Sequence, residues 1–343
     1  MEKRYEGFRY YEYIFFSLAT VAAMLLCVCL GSVNIPLKDT LTAVWNTVWG
    51  LPTPAGVSKS VIVFVRLPRV LCVALTGAAL SLCGAAMQGL LRNPLADGST
   101  LGVSSGASLG AIIAIAFGIT IPGIPFAGTM IMAIFFAFLS LVLILSFAYR
   151  LDHSLATHTI ILIGIIFTMF INSIISLIIA FSGEKVKSIM FWTMGSLAGS
   201  SYQNALALFA ALILCGAVLL ASSRELNAFA VGEDNARHVG VDVKRVKLRV
   251  LISASVLIGV CVSIGGTIGF VGLVTPHIIR MLTGPNHKRL LPVSLFGGAI
   301  FLMLADLAGR TVLSPLEIPI GVITSFIGSV VFVYIFYSSR KVR

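Results

Sequence analysis

Ser222 to Arg249 reads SSRELNAFAVGEDNARHVGVDVKRVKLR, the least membrane-like stretch of a chain that is 58% hydrophobic and only 11% charged. A run so dense in ionisable groups must face water. It therefore reads as a platform between two apolar halves, residues 1–221 and 248–343, with 222–247 connecting them inside one transmembrane domain. Gly232 followed by Glu233 and Asp234 is a helix start, because acids favour the positive end of the helix dipole. Arg237 and His238 fall in the last turn and Gly240 stops it, so the spacing predicts a helix of about two turns at the membrane surface. Two readings fit it: a basic segment resting on anionic headgroups, or a docking element for a soluble partner.

The 343 residues have a mean hydropathy of +1.03, and apolar runs of about 20 residues, the length that crosses a bilayer, recur along them. Ten spans are expected near 14–33, 67–91, 100–118, 127–148, 158–181, 200–221, 248–265, 268–283, 290–308 and 318–337, giving an all-α polytopic membrane protein. The seventh and eighth are short and separated by Gly265, Gly266 and Thr267, and residues 189–199 fit a partial helix. The run Ile14–Leu30 is long and lacks a small-residue cleavage site, so it reads as a span rather than a signal peptide.

A net charge of +11 would suggest nucleic acid in a soluble protein. Here the basic residues cluster at span ends, and orientation explains them without nucleic acid. With both termini cytoplasmic, seventeen Lys and Arg lie inside; Lys38, Lys59, Arg66, Arg69, Lys185, Lys187 and Arg310 lie outside. The six cysteines sit in apolar segments without CxxC spacing or nearby His, so neither a disulfide nor a metal is expected.

Small residues recur every fourth position, as in Gly77, Ser81, Ala85 and Gly89, or Gly102, Gly106 and Gly110. Such stripes let helix backbones approach closely in lipid. A weak inverted repeat is also visible: Arg69-Val70-Leu71 opens the second span and Arg249-Val250-Leu251 the seventh, on opposite sides of the membrane.

Four stretches are more particular. Arg66-Leu67-Pro68-Arg69 enters the membrane from outside, its arginines being either snorkelling anchors or exposed cations for the carboxylates of an outer partner. Met87–Asp97 (MQGLLRNPLAD) is a cytoplasmic turn, with Asn93 as a cap and Pro94 suited to a first helical position, and leads into Leu101–Ser108 (LGVSSGAS). Gly266–Arg280 reads GTIGFVGLVTPHIIR; Ala305-Asp306 is followed by Arg310, then by Glu317-Ile318-Pro319-Ile320-Gly321.

Together these ordered motifs resemble the permease family of bacterial ABC importers for iron-siderophores, haem and vitamin B12, the type II importers, from about Val61 to Phe332. One departure is Gly328–Phe332 (GSVVF), where the family carries Gly-Ala-Pro before the aromatic. The resemblance implies a ten-helix subunit of a bacterial or archaeal cell membrane, paired with a second permease copy or a paralogue around a central path. Two cytoplasmic ATPases would bind beneath, carrying the ATP and Mg, with no cofactor held by this chain. An extracellular or periplasmic binding protein would dock outside. Carried over by position, Arg66, Arg69 and Arg310 resemble the outer docking cations. Leu226, Gly232, Glu233, Asp234, Ala236, Arg237 and Gly240 fall in the segment that couples to the ATPase, and Thr157 and His158 resemble the inner gate.

On the fifth span Thr168, Asn172 and Ser176 share one stripe at i, i+4 and i+8, either lining the path or joining helices. Asp306, four residues before Arg310, can form a structural ion pair with it. The competing use of Asp306 is proton transfer in a secondary transporter. No GxxxxGK[ST] occurs, so the chain itself is not expected to be an enzyme hydrolysing ATP. The expected cargo is a metal chelate, a ferric siderophore first, with cobalamin or haem as alternatives.

Overall fold

The computed structural model describes residues 9–31, 35–49, 60–98, 101–123, 127–153 and 155–341. Expectations on residues 32–33 and 100, and on Lys3, Arg4, Lys59 and Arg343, lie outside them. The chain folds into α1 (Tyr10–Cys29), α2 (Leu37–Val48), α3 (Leu67–Leu90, entered through a π turn at Ile62–Arg66), α4 (Val103–Phe117) and α5 (Ala127–Leu151). There follow α6 (Thr157–Phe181), α7 (Val186–Thr193), α8 (Tyr202–Ala221), α9 (Ser223–Val231) and α10 (Glu233–His238). The second half holds α11 (Val243–Gly265), α12 (Val271–Thr283), α13 (His287–Thr311) and α14 (Ile320–Lys341).

Every expected span is a helix. Among the described residues seven stretches are long and apolar enough to cross a membrane, while Val103–Phe117, Val271–Thr283 and Ile320–Tyr334 are apolar but shorter. The differences lie at boundaries and in short helices. α11 begins at Val243 rather than 248 because Asp242 caps it, its carboxylate accepting from the Arg245 N–H at 3.1 Å. α12 begins at Val271 rather than 268, after a non-helical joint in which Gly266 and Phe270 have φ of +68° and +66°. The partial helix runs over Val186–Thr193 rather than 189–199. Asn93 shapes a turn instead of starting a helix: its Oδ1 accepts from the Leu95 N–H at 2.9 Å, and the next helix waits until Val103. α2 was not expected, since a window matched to spans passes over a short amphipathic helix.

α3 is the axis of the bundle. It is buried almost throughout and packs against α13, α12, α11 and α8. The small-residue stripe is its contact face: a Cβ on Gly77 would overlap the carbonyl oxygen of Gly298, and one on Gly298 would overlap that of Gly77. Only residues without a side chain allow this approach, which supplies the dispersion contacts that hold helices together in lipid. If α3 corresponds to α11, then α5 corresponds to α13; accordingly α3 packs on α13 and α11 on α5.

Polar side chains gather at the two ends. At one end Glu12 of α1 pairs with Arg289 of α13, Gln88 accepts from Arg280 at 3.0 Å, and Asn227 of α9 donates to Asn286 at 2.9 Å. The platform occupies this end. At the other end lie Arg66, Arg69 and Arg310, with the Tyr202 hydroxyl donating to the Val63 carbonyl at 2.6 Å.

Candidate functional site

The platform is two helices rather than one. α9 carries Leu226 and Phe229 into the interior, and Asn227 fixes it to the start of α13, its Oδ1 accepting from the His287 N–H at 2.8 Å. Gly232, at φ +128°, then reverses the chain and precedes α10. α10 has the expected anatomy, with Glu233 and Asp234 in its first turn, Arg237 and His238 in its last, and Gly240 beyond at φ +87°. Ala236 is buried and anchors the helix, whereas Asp234, Arg237 and Gly240 are exposed. Leu226 and Ala236 are thus inward-facing supports within the single subunit. Val231 and Val239 stand 70% and 73% exposed on either side of α10, on a surface otherwise rich in charge.

Thr157 and His158 open α6 beside this platform, Thr157 half-buried and His158 exposed. The Thr157 hydroxyl donates to Glu233 Oε1 at 3.1 Å. Glu233 also meets the Lys247 ammonium at 2.7 Å, and Lys247 donates to the Leu155 carbonyl at 2.9 Å. A cleft of about 860 Å³ lies here, with Arg92, Asn93, Thr157, His158, Asp234 and Arg237 on its walls.

The opposite end corrects an expectation. Arg66, Arg69 and Arg310 are not exposed cations; they are 5%, 7% and 3% exposed. Arg66 donates to the carbonyls of Val28 and Cys29 at 3.0 and 3.1 Å, and Arg310 to those of Cys27 and Leu30 at 3.0 and 3.2 Å. These are the carbonyls that the end of α1 leaves without helical partners, at the negative pole of its dipole. Two arginines therefore cap α1 from neighbouring helices. Arg69 bridges Asp306 and Glu317 at 2.9 and 2.8 Å. The expected Asp306–Arg310 approach is present at 2.9 Å between Oδ2 and Nε, as an ion contact without hydrogen-bond alignment. Glu317, whose side chain is 36% exposed, is the member of this cluster that reaches solvent. Sequence spacing could find Asp306 and Arg310; it could not find partners brought from α1 and α3.

Between the ends, a cavity of about 320 Å³ is bounded by Thr76, Ser104, Ser105, Asn172, Thr193 and Thr267 among others. Asn172 joins its wall from α6. Thr168 is half-buried; Ser176 is exposed, and its hydroxyl turns back to the Asn172 carbonyl at 2.9 Å. Asn172 and Ser176 are thus exposed in the single subunit, and the Ser176 bond stays within α6. The six cysteines are free thiols in the helices.

Residues 19–338 match the FecCD transport family. The chain belongs to this family. An uncharacterized ABC transporter permease of Bacillus subtilis (strain 168), YvrB, is 43% identical over 337 residues, 97% of this chain and 95% of the relative. The cobalamin import system permease BtuC of Halobacterium salinarum is 38% identical over 295 residues, 86% of this chain and 77% of the relative. A solved inward-facing structure assigned to the metal-chelate type of ABC transporter superposes with a TM-score of 0.83 at 33% identity, covering 96% of this chain and all of that one. This FecCD protein is accordingly an ABC importer permease and a multi-pass membrane protein.

Proposed function

We propose that this chain forms, with a second permease copy or a paralogue, the path by which a metal chelate delivered by an external binding protein enters the cytoplasm. Two separate ATPase subunits supply the energy. The observation that carries this reading is α10: a short helix bounded by Gly232 and Gly240, with a buried anchor, exposed charges on both turns, and solvent-facing Val231 and Val239 beside it. Exposed apolar side chains on a water-facing platform call for a protein that covers them. A chain without a phosphate-binding loop needs such a partner. The excess of Lys and Arg at the platform end supports a cytoplasmic platform and cytoplasmic termini. The outer docking surface then lies around Arg66, Arg69 and Arg310, with Glu317 as its accessible charge.

For the cargo, the proposal is a ferric siderophore. The neutral amide and hydroxyl groups of Thr168, Asn172 and Ser176 suit a bulky oxygen-rich chelate that must pass without being held. Cobalamin is the second reading, favoured by the 38% identity to a cobalamin import permease. Deleting residues 232–240 tests the platform. Loss of ATPase association from an otherwise folded protein is the expected result; normal recovery of the complex would refute it. Competition between ferric siderophore and cobalamin for uptake separates the two cargoes.

A further inference from the structure

Lys247 is 2% exposed although it carries an ammonium, and it lies one turn into α11. Burying a cation is costly unless its donors are met, and a hydrocarbon side chain of similar length would fill the same space without that cost. Its contacts join three segments that are separate in the chain. The ammonium meets both carboxylate oxygens of Glu233, at 2.7 and 2.8 Å, and the Leu155 carbonyl at 2.9 Å. Glu233 is the first residue of α10, and the same carboxylate accepts from the Thr157 hydroxyl at 3.1 Å. Leu155 holds φ +52°, a left-handed conformation that a leucine rarely adopts. Asp152 braces the same loop, its Oδ2 accepting from the Ala156 N–H at 3.1 Å.

We infer that Glu233 and Lys247 form a clasp that makes the gate at Thr157 and His158 follow α10 when a partner moves it. This rests on the importer reading, with α10 as the part a partner grips and Thr157 and His158 as the inner gate that the family resemblance implies. Glu233 is the link because it belongs to α10 and touches both the gate hydroxyl and Lys247. Lys247 is the pivot because it is seated in the bundle and holds the gate loop by a backbone carbonyl, which no side-chain change in that loop removes. When α10 shifts, Glu233 cannot keep both Thr157 and Lys247 within hydrogen-bond reach unless the loop shifts with it. A charged pair does this where an apolar contact would slide, since its geometry is fixed by direction as well as distance. The pair is a positioning device: neither residue needs to touch the cargo.

The test uses the full complex of this chain with its ATPases and binding protein in vesicles, reading cargo moved per ATP hydrolysed. Lys247→Met should leave ATPase association and hydrolysis in place while transport per ATP falls about tenfold, within the usual range for energetic coupling between two sites. Thr157→Val, which removes only the hydroxyl contact, should show a smaller fall of the same kind. Lys247→Arg, which keeps a cation able to reach both Glu233 and the Leu155 carbonyl, should retain most of the wild-type ratio, whereas a merely space-filling role for the lysine predicts that Lys247→Met retains it as well. Wild-type ratios in both Lys247→Met and Thr157→Val would overturn the clasp alone. A wild-type complex that showed no ATP-dependent transport would overturn the importer reading, and the clasp with it.

Discussion

Arg69 and Asp306, 237 residues apart in the chain, meet at 2.9 Å inside the bundle. The carboxylate is also 2.9 Å from Arg310, and the Arg69 guanidinium extends on to Glu317 at 2.8 Å. Two cations and two carboxylates thus balance one another where α3, α13 and the segment before α14 converge. Asp306 therefore ties α13 to α3 through Arg69.

Asp306→Asn leaves Arg69 and Arg310 buried with their shared anion removed. Breaking a buried pair in this way costs about 3–5 kcal/mol. The expected result is a markedly lower thermal midpoint for the purified protein in detergent, and an unchanged midpoint would contradict the role given to the cluster.

Arg310→Glu sets an acid against the Cys27 and Leu30 carbonyls at the end of α1. Like charge at a helix C-terminus is unfavourable, and here it is also buried. Folded protein should be lost, with Arg310→Met milder. A folded Arg310→Glu protein that lost only salt-sensitive docking of the binding protein would contradict the capping role.

Gly77→Val drives a branched side chain into the backbone of Gly298. Overpacking of a tight contact costs about 1–3 kcal/mol, sometimes more, so α3 and α13 should separate. Size-exclusion chromatography should show aggregated or poorly recovered protein; a monodisperse variant of normal stability would mean that the interface yields.

The spans and α10 were legible because their signals are local. Twenty apolar residues are read from a window, and Gly232, Glu233, Asp234, Arg237 and Gly240 carry the start and stop of a helix within nine positions. The small-residue stripe of α3 predicted close packing, though not that Gly298 was the neighbour. The arginines misled because a cation at a span end looks alike whether it meets water or another helix's carbonyls. What buries Arg66 is the end of α1, and what engages Arg69 lies 237 and 248 residues away. Lys247 escaped notice for the same reason: in a basic run it resembles its neighbours, and only the fold turns it inward.

The most direct test of the importer reading is uptake into vesicles reconstituted with this chain, its ATPases and its binding protein, loaded with or without ATP and offered ferric siderophore or cobalamin. The account predicts uptake that needs both ATP and the binding protein and is indifferent to a proton gradient. Uptake that followed the proton gradient without ATP would contradict it.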